Sequence, residues 1–256
     1  MMRFLCATLV LLVAGLCAQE DIDLQLTRAY ESYLAGERAQ TLDERQAAFN
    51  RAATLYHGLA QDVEDGALYY NLANCHYQLG ELPWALVYYY KARRLSPRDE
   101  KVLGNLRQCE KQLGVEVTPQ INALDQMMFF HRLLSPDEKQ QALRGALFGA
   151  FLMWSCWYWL GRRWCKTGAL VFGAMALLQG ASLFYVAYMA PLEAVVVRAS
   201  PLRRDAGHHY AIVNDAVVSA GMKVTVLDVV KEGHWVKVQT REGIVGYVPH
   251  EQVQII

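Results

Sequence analysis

Two apolar runs separated by five residues constrain this chain more than any other feature. Leu143 to Gly161 (LRGALFGAFLMWSCWYWLG) and Thr167 to Met189 (TGALVFGAMALLQGASLFYVAYM) carry one charge between them, Arg144. Each is close to the roughly 20 residues that cross a bilayer as a helix. Trp154, Trp157, Tyr158, Trp159, Trp164, Tyr185 and Tyr188 crowd toward the ends, where interfacial aromatics belong. The connection Arg162-Arg163-Trp164-Cys165-Lys166 holds three bases and no acid, which predicts a cytoplasmic loop and places both flanking regions outside. The expectation is a transmembrane helical hairpin: helix 143–161, loop 162–166, helix 167–189.

Gly145-x-x-x-Gly149 in the first run, with Ala169/Gly173 and Ala176/Gly180 in the second, would let the two helices approach closely. Gln179, the one strongly polar side chain in mid-span, is expected to bond across the hairpin rather than to line a path. Upstream, Ser135-Pro136-Asp137-Glu138 combines an N-cap serine, a proline at the first helical position and a glutamate three residues on, which predicts a helix start near 136. Met127-Met128-Phe129-Phe130 beside His131 and Arg132 suits a segment lying on the membrane surface, within a juxtamembrane region 117–142.

The first 18 residues supply an independent topological signal. One arginine, about a dozen apolar residues and then small ones make the layout of a signal peptide, 1–18. Three fates stay open: cleavage after Ala18, retention as an anchor, and lipidation at Cys17 within Val13-Ala14-Gly15-Leu16-Cys17. All three export the chain, in agreement with the basic loop. Both soluble regions are therefore expected on the periplasmic side of a multi-pass protein of the cell inner membrane.

Region 19–116 contains a repeat. Tyr69–Gly80 (YYNLANCHYQLG) set against Leu103–Gly114 (LGNLRQCEKQLG) gives identities at Asn71/Asn105, Leu72/Leu106, Cys75/Cys109, Gln78/Gln112, Leu79/Leu113 and Gly80/Gly114, at an offset of 34. That period with helical apolar spacing means stacked helix pairs. The series Tyr69, Leu72, Ala73, His76, Ala85, Tyr89, Ala92, Pro97 resembles a tetratricopeptide repeat, with His76 departing from the usual aromatic. A degenerate unit precedes it, with a capping box at Thr41-Leu42-Asp43-Glu44 and Ala52, Tyr56 and Leu59 in the second helix. The third unit has only its first helix. About five helices make a short all-α solenoid. The resemblance implies a protein partner held along the concave face by Tyr70, Asn74, Tyr77 and Gln78, and in the next unit by Lys101, Gln108, Lys111 and Gln112. Tyr89 is read as inter-repeat packing; Asn74 and Tyr77 have no packing role to explain them.

After Pro191 the period changes to two. Ala194–Val197, Lys223–Leu227, His234–Val238 and Ile244–Val248 read as strands, separated by turns at Asp205-Ala206-Gly207, Ala220-Gly221, Glu232-Gly233 and Glu242-Gly243. Region 192–256 is thus expected to be a small all-β barrel. Arg198-Ala199-Ser200-Pro201, Gly221, Trp235-x-x-Val238, Gly243 and Gly246-Tyr247-Val248 resemble a bacterial SH3 domain. Trp235 and Tyr247 are the candidate ligand surface; the competing reading for Trp235 is a core position.

The balance of 25 basic and 25 acidic residues leaves no stretch basic enough to follow a phosphate backbone, so a nucleic-acid partner is excluded. The 54% hydrophobic content is too high for disorder, and six cysteines are too few for a disulfide scaffold. Cys75 and Cys109 occupy equivalent points of adjacent repeats, about 10 Å apart, and read as packing residues. The seven histidines form no H-x-x-x-H or His/Cys cluster, and His208-His209 reads as a turn pair. There is no G-x-S-x-G, G-x-G-x-x-G or G-K-[ST] motif. No catalytic residue, metal or cofactor is expected, and the chain reads as a non-enzyme.

Leader, short solenoid, two-helix hairpin and SH3-like domain, in that order, resemble the BatE proteins of the aerotolerance operon. The resemblance implies a membrane-bound periplasmic adaptor, partnered by other Bat-type membrane proteins and linked to envelope stress. The alternative is a cell-wall sensor that binds peptidoglycan through the SH3-like domain, with the repeats as a spacer.

Overall fold

A computed structural model of the chain describes residues 22–115 and 133–256. The leader and most of the juxtamembrane segment, with its Met127–Arg132 surface element, lie outside the described residues.

The N-terminal part is helical. Helix α1 (22–38) is followed by α2 (Leu42–Asp62), α3 (Gly66–Gln78), α4 (Leu82–Leu95) and α5 (Glu100–Leu113). Each start has a physical marker. The Thr41 hydroxyl accepts from the Glu44 amide, Asp65 from Leu68 and Asp99 from Lys101, and Pro83 stands in the first turn of α4. The Thr41 bond is the forward half of the expected capping box. Helix α5 stops where Gly114 turns left-handed at φ +67. Ala52, Tyr56 and Leu59 of α2 recur at helical spacing on one buried face and meet Leu72, Ala73 and Cys75 of α3 and Ala85, Tyr89 and Ala92 of α4, while Phe49 packs edge-on against Tyr33 of α1. Ala85 and Ala92 are wholly buried, which is what lets consecutive helices stack.

Helices α6 (Pro136–Leu160) and α7 (Arg163–Tyr188) pack along each other. The capping box at Ser135 and Glu138 is complete, with bonds in both directions. Helix α7 is long and apolar enough to cross a membrane, with a mean hydropathy of 1.8 over its most apolar stretch. The connection is shorter than the expected five residues. Gly161 closes α6 in the left-handed region, Arg162 is extended, and Arg163 already begins α7. The close approach uses part of the small-residue set that the spacing suggested, Gly149 with the buried Ala169 and Ala176, and adds Gly168. A Cβ on Gly149 would sit 2.9 Å from the Phe172 ring and one on Gly168 3.1 Å from Met153 Sδ, whereas Gly145, Gly173 and Gly180 face open space. Gln179 Oε1 is buried without a hydrogen-bond partner among the described residues, so the expected bond across the pair is not made through that atom.

The C-terminal part is a seven-stranded antiparallel sheet: β1 (Leu192–Val196), β2 (Ser200–Arg203), β3 (Ile212–Val218), β4 (Lys223–Val230), β5 (Trp235–Gln239), β6 (Val245–Pro249) and β7 (Val253–Ile255), ordered β3-β2-β6-β5-β4-β1-β7. Strands β3 and β7 remain as unpaired edges, so the sheet is open where a closed barrel was expected. Its core is Ala194, Val196, Leu202, Val218, Val224, Val226, Val236, Val238, Val248 and Val253. Gly246 is dictated by proximity: a Cβ there would lie 2.4 Å from Leu202 Cγ and 2.9 Å from the Arg203 carbonyl oxygen.

The helical N-terminal part and the sheet are joined through β1. Ala194 and Val196 point into the sheet core, while Val195 and Val197 belong to the same buried cluster as the solenoid helices. Burial on both faces explains the unbroken apolar run at 194–197. Leu113, Val115 and Ile256 pack against that cluster, and the Lys223 ammonium lies 5.1 Å from the centroid of the Tyr90 ring while pairing with Glu193 at 2.5 Å. At the seam, Gly221 has φ +85 and its absent Cβ would fall 2.8 Å from Leu113 Cδ1. Gly221→Val therefore strains the backbone, by about 1–3 kcal/mol, and clashes with Leu113. Thermal unfolding followed by circular dichroism is expected to show a lower midpoint, and limited proteolysis to separate the solenoid from the sheet; an unchanged melt would refute the seam.

Candidate functional site

The first helices of three successive units, α1, α3 and α5, line one cleft, with α4 as its floor. The cleft has a volume of about 250 Å3 and is bounded by Tyr33 of α1, Tyr70, Asn74, Tyr77 and Gln78 of α3, Tyr89 of α4, and Asn105 and Gln108 of α5. Every lining side chain is neutral.

Three sets of side-chain hydrogen bonds fix the walls. Tyr89 donates its hydroxyl to Asn74 Oδ1 at 2.6 Å, and Asn105 Nδ2 donates to the same oxygen at 3.0 Å and to the Tyr70 oxygen at 3.2 Å. Gln108 and Gln112 both donate to the Tyr77 oxygen, at 2.9 and 2.7 Å, and Arg45 donates to Gln78 Oε1 at 2.6 Å. Two donors on Asn74 Oδ1 fill that atom and leave the amide NH2 as the part of Asn74 able to serve a ligand. Burial pushes the pKa of Tyr33 up to about 12, by desolvation first and Glu37 second, and desolvation raises that of Tyr89 as well. Tyr33 and Tyr89 are therefore neutral donors at physiological pH.

Of the residues singled out from the sequence, Tyr70, Asn74, Tyr77, Gln78 and Gln108 come together here. Gln112 braces Tyr77 from behind. Lys101 and Lys111 are exposed on α5 and do not border the cleft. Tyr89 packs between repeats, as expected, and also supplies the floor. Tyr33 and Asn105 were missed; the Asn71/Asn105 identity was the available signal for the second.

On the sheet, Trp235 is buried, but on the side away from the valine core. It pairs with Val230 and Pro249, and His208 covers it edge-on at 5.0 Å. Tyr247 is half-buried on the neighbouring strand opposite Arg203 and Lys237, whose ammonium lies 5.8 Å from its ring centroid. His208 thus closes what would otherwise be an aromatic platform.

Cys75 and Cys109 are free and buried, with thiols pushed up to about 12 by desolvation, in keeping with packing residues. His76 occupies the aromatic position of the repeat. Its Nδ1 lies 2.7 Å from Glu81 Oε2, and its ring stacks on Tyr88 at 5.3 Å. His57 of α2 meets it edge-on.

With this geometry in place, the comparisons are direct. Residues 67–99 match the tetratricopeptide repeat model, and residues 202–254 match the bacterial SH3 domain model. No curated protein matches the chain. The chain therefore carries a tetratricopeptide repeat, a module of protein–protein interaction, and a bacterial SH3 domain, a type associated with cell-wall binding; both are typically non-catalytic.

Desolvation lowers the pKa of both His57 and His76, the latter against the pull of Glu81; His76, Lys91 and Glu81 are the charged groups acting on His57. Both imidazoles are held neutral in the fold, whereas the unfolded chain protonates them near pH 6.5. The unfolded state then binds more protons on acidification, so the solenoid loses stability as pH falls below about 6.5. Melting curves between about pH 7.5 and 5.5 should show a steeper decline for the wild type than for His57→Gln/His76→Phe; parallel declines would contradict the assignment.

Proposed function

We propose that this chain is a membrane-tethered adaptor whose solenoid cleft holds an extended segment of a protein partner, another membrane protein of a Bat-type envelope complex. One observation carries the reading. The inner helices of three units converge on a neutral cleft in which amide and phenol groups are already fixed by mutual hydrogen bonds. Such groups recognise peptide carbonyls and amides without demanding a charged terminus. Preorganisation lowers the ordering cost of binding. Affinity capture of the full chain in mild detergent tests it. Asn74→Ala/Tyr77→Ala is expected to lose its co-purifying membrane partner, because the truncations remove the hydrogen bonds that fix the walls, at roughly 0.5–1.5 kcal/mol each. Equal recovery by both proteins would sink the reading.

The topology that serves this role has both soluble parts outside and Arg162, Arg163 and Lys166 in the cytoplasm. The basic connection and the export leader support it. So does the packing of the solenoid against the sheet, because helices α6 and α7 leave and re-enter one body. The domain bounds 1–18, 19–116, 117–142, 143–161, 162–166, 167–189 and 192–256 belong to this proposal, with α6 as the first span. A membrane-impermeant maleimide on intact spheroplasts should label Glu242→Cys and leave Arg162→Cys unmodified until the membrane is opened. The reverse pattern would overturn the orientation.

Peptidoglycan binding by the sheet domain ranks behind the adaptor reading. Its SH3-type match favours it, but Trp235 is covered by His208, so the aromatic surface at Trp235 and Tyr247 is not open as it stands.

A further inference from the structure

The turn between α6 and α7 brings two thiols face to face. The helices keep one antiparallel register, in which each step along α6 matches an equal step back along α7. Gly149 meets the Phe172 ring; four residues further on, Met153 meets Gly168, which lies four residues before Phe172. One more step of three residues along each helix, nearly a full turn, reaches Cys156 and Cys165 on the same facing surfaces. Cys165 is fully buried between the exposed Trp164 and Lys166, and Cys156 is half-buried. Both are free, and the two thiols are direct neighbours placed to share a hydrogen bond. Only Gly161 and Arg162 separate the helices, so their ends are held together.

Packing alone does not call for this pair. Gly149, Gly168, Ala169 and Ala176 already supply the small side chains that a close crossing needs. We propose that Cys156 and Cys165 are a redox-active dithiol, closed to a disulfide by exchange with an anionic low-molecular-weight disulfide of the glutathione type. Cys156 lies among Trp154, Trp157, Tyr158 and Trp159, at the level of an interfacial aromatic belt rather than deep in hydrocarbon. Arg162, Arg163 and Lys166 are exposed beside the pair and draw an anionic reagent to it. The half-buried Cys156, as its thiolate, attacks one sulfur of the reagent RSSR, forming a mixed disulfide on Cys156 and releasing RS−. Cys165 then loses its proton to water and displaces the second RS−, which closes the bond to Cys156. Two protein thiols are oxidised and one RSSR is reduced to two RSH. The bond ties the end of α6 to the first turn of α7. With Arg162 in the cytoplasm, the thiol pool there would reopen it; that reversal rests on the proposed topology, whereas the ring closure does not.

The test uses the full chain, purified reduced in mild detergent, freed of reductant and exposed to oxidised glutathione. Remaining thiols are alkylated in denaturant and the peptides mapped by mass spectrometry. Cys156 and Cys165 should lose alkylation together and appear as one cross-linked peptide pair, two hydrogens lighter, in monomeric protein. The buried Cys75 and Cys109 should stay fully alkylated, and dithiothreitol should restore both lost thiols. In Cys165→Ser the exchange should stop at a glutathione adduct on Cys156; in Cys156→Ser, Cys165 should remain alkylatable. The proposal is overturned if wild type keeps both thiols, if a glutathione adduct on Cys156 persists without ring closure, or if the new bond links two chains. Protein in detergent has no sidedness, so failure here is distinct from failure of the topology, which maleimide labelling reads separately.

Discussion

The arrangement depends on one strand that is buried on both faces. In β1, Ala194 and Val196 seal the sheet core while Val195, with Val197 just past the strand, seals the end of the solenoid. Fully burying a valine contributes roughly 1.5–3 kcal/mol, so two such residues are comparable to a sizeable part of a small domain's net stability. A short solenoid needs that. Five helices are near the minimum for a repeat array, whose last unit exposes an apolar face unless something covers it. Here the cover comes from the far end of the chain. Lys223 over Tyr90 and Leu113 against Gly221 extend the seam with polar and close contacts.

That docking constrains everything between the solenoid and the sheet. Arg98, at the corner between α4 and α5, pairs with Glu138 in the first turn of α6, while α7 runs directly into β1. The long helices must therefore depart from and return to the same body. Two segments so placed pack as antiparallel neighbours, with Gly149 against Phe172 and Gly168 against Met153. The antiparallel pairing thus follows from a soluble contact as much as from small residues within the helices.

Much of this was legible in the sequence. The offset of 34 located α3 and α5, Ser135–Glu138 located the start of α6, and the turn glycines located the strand ends. Five of the eight groove residues read from the repeat do line the cleft. Lys101, Lys111 and Gln112 lie outside its lining, because a repeat position fixes a helix face only to within the width of a side chain. Tyr33 was hidden because the first unit had lost the identities that mark the others. The docking of the sheet was written only as the run Ala194–Val197. An unbroken apolar tetrad in an otherwise alternating module signals a second buried face but does not say what covers it. Trp235 illustrates the same limit. Burial was foreseeable, but the cover is His208, 27 positions away, on a turn whose sequence predicts only flexibility of direction.

The neutrality of the cleft bears on how an adaptor of this kind would select a partner. A charged groove attracts acidic or basic segments from a distance; this one exerts no such long-range pull. Its specificity must come from short-range pairing, where a mismatched segment leaves buried amides unsatisfied at roughly 1–3 kcal/mol each. Such contacts discriminate well but bind weakly in dilute solution. Confinement to a membrane changes that balance, because an effective concentration in the millimolar range turns a weak contact into an occupied one. A neutral, preorganised cleft therefore makes most physical sense on a chain anchored beside its partner, and least on one that must find it by diffusion.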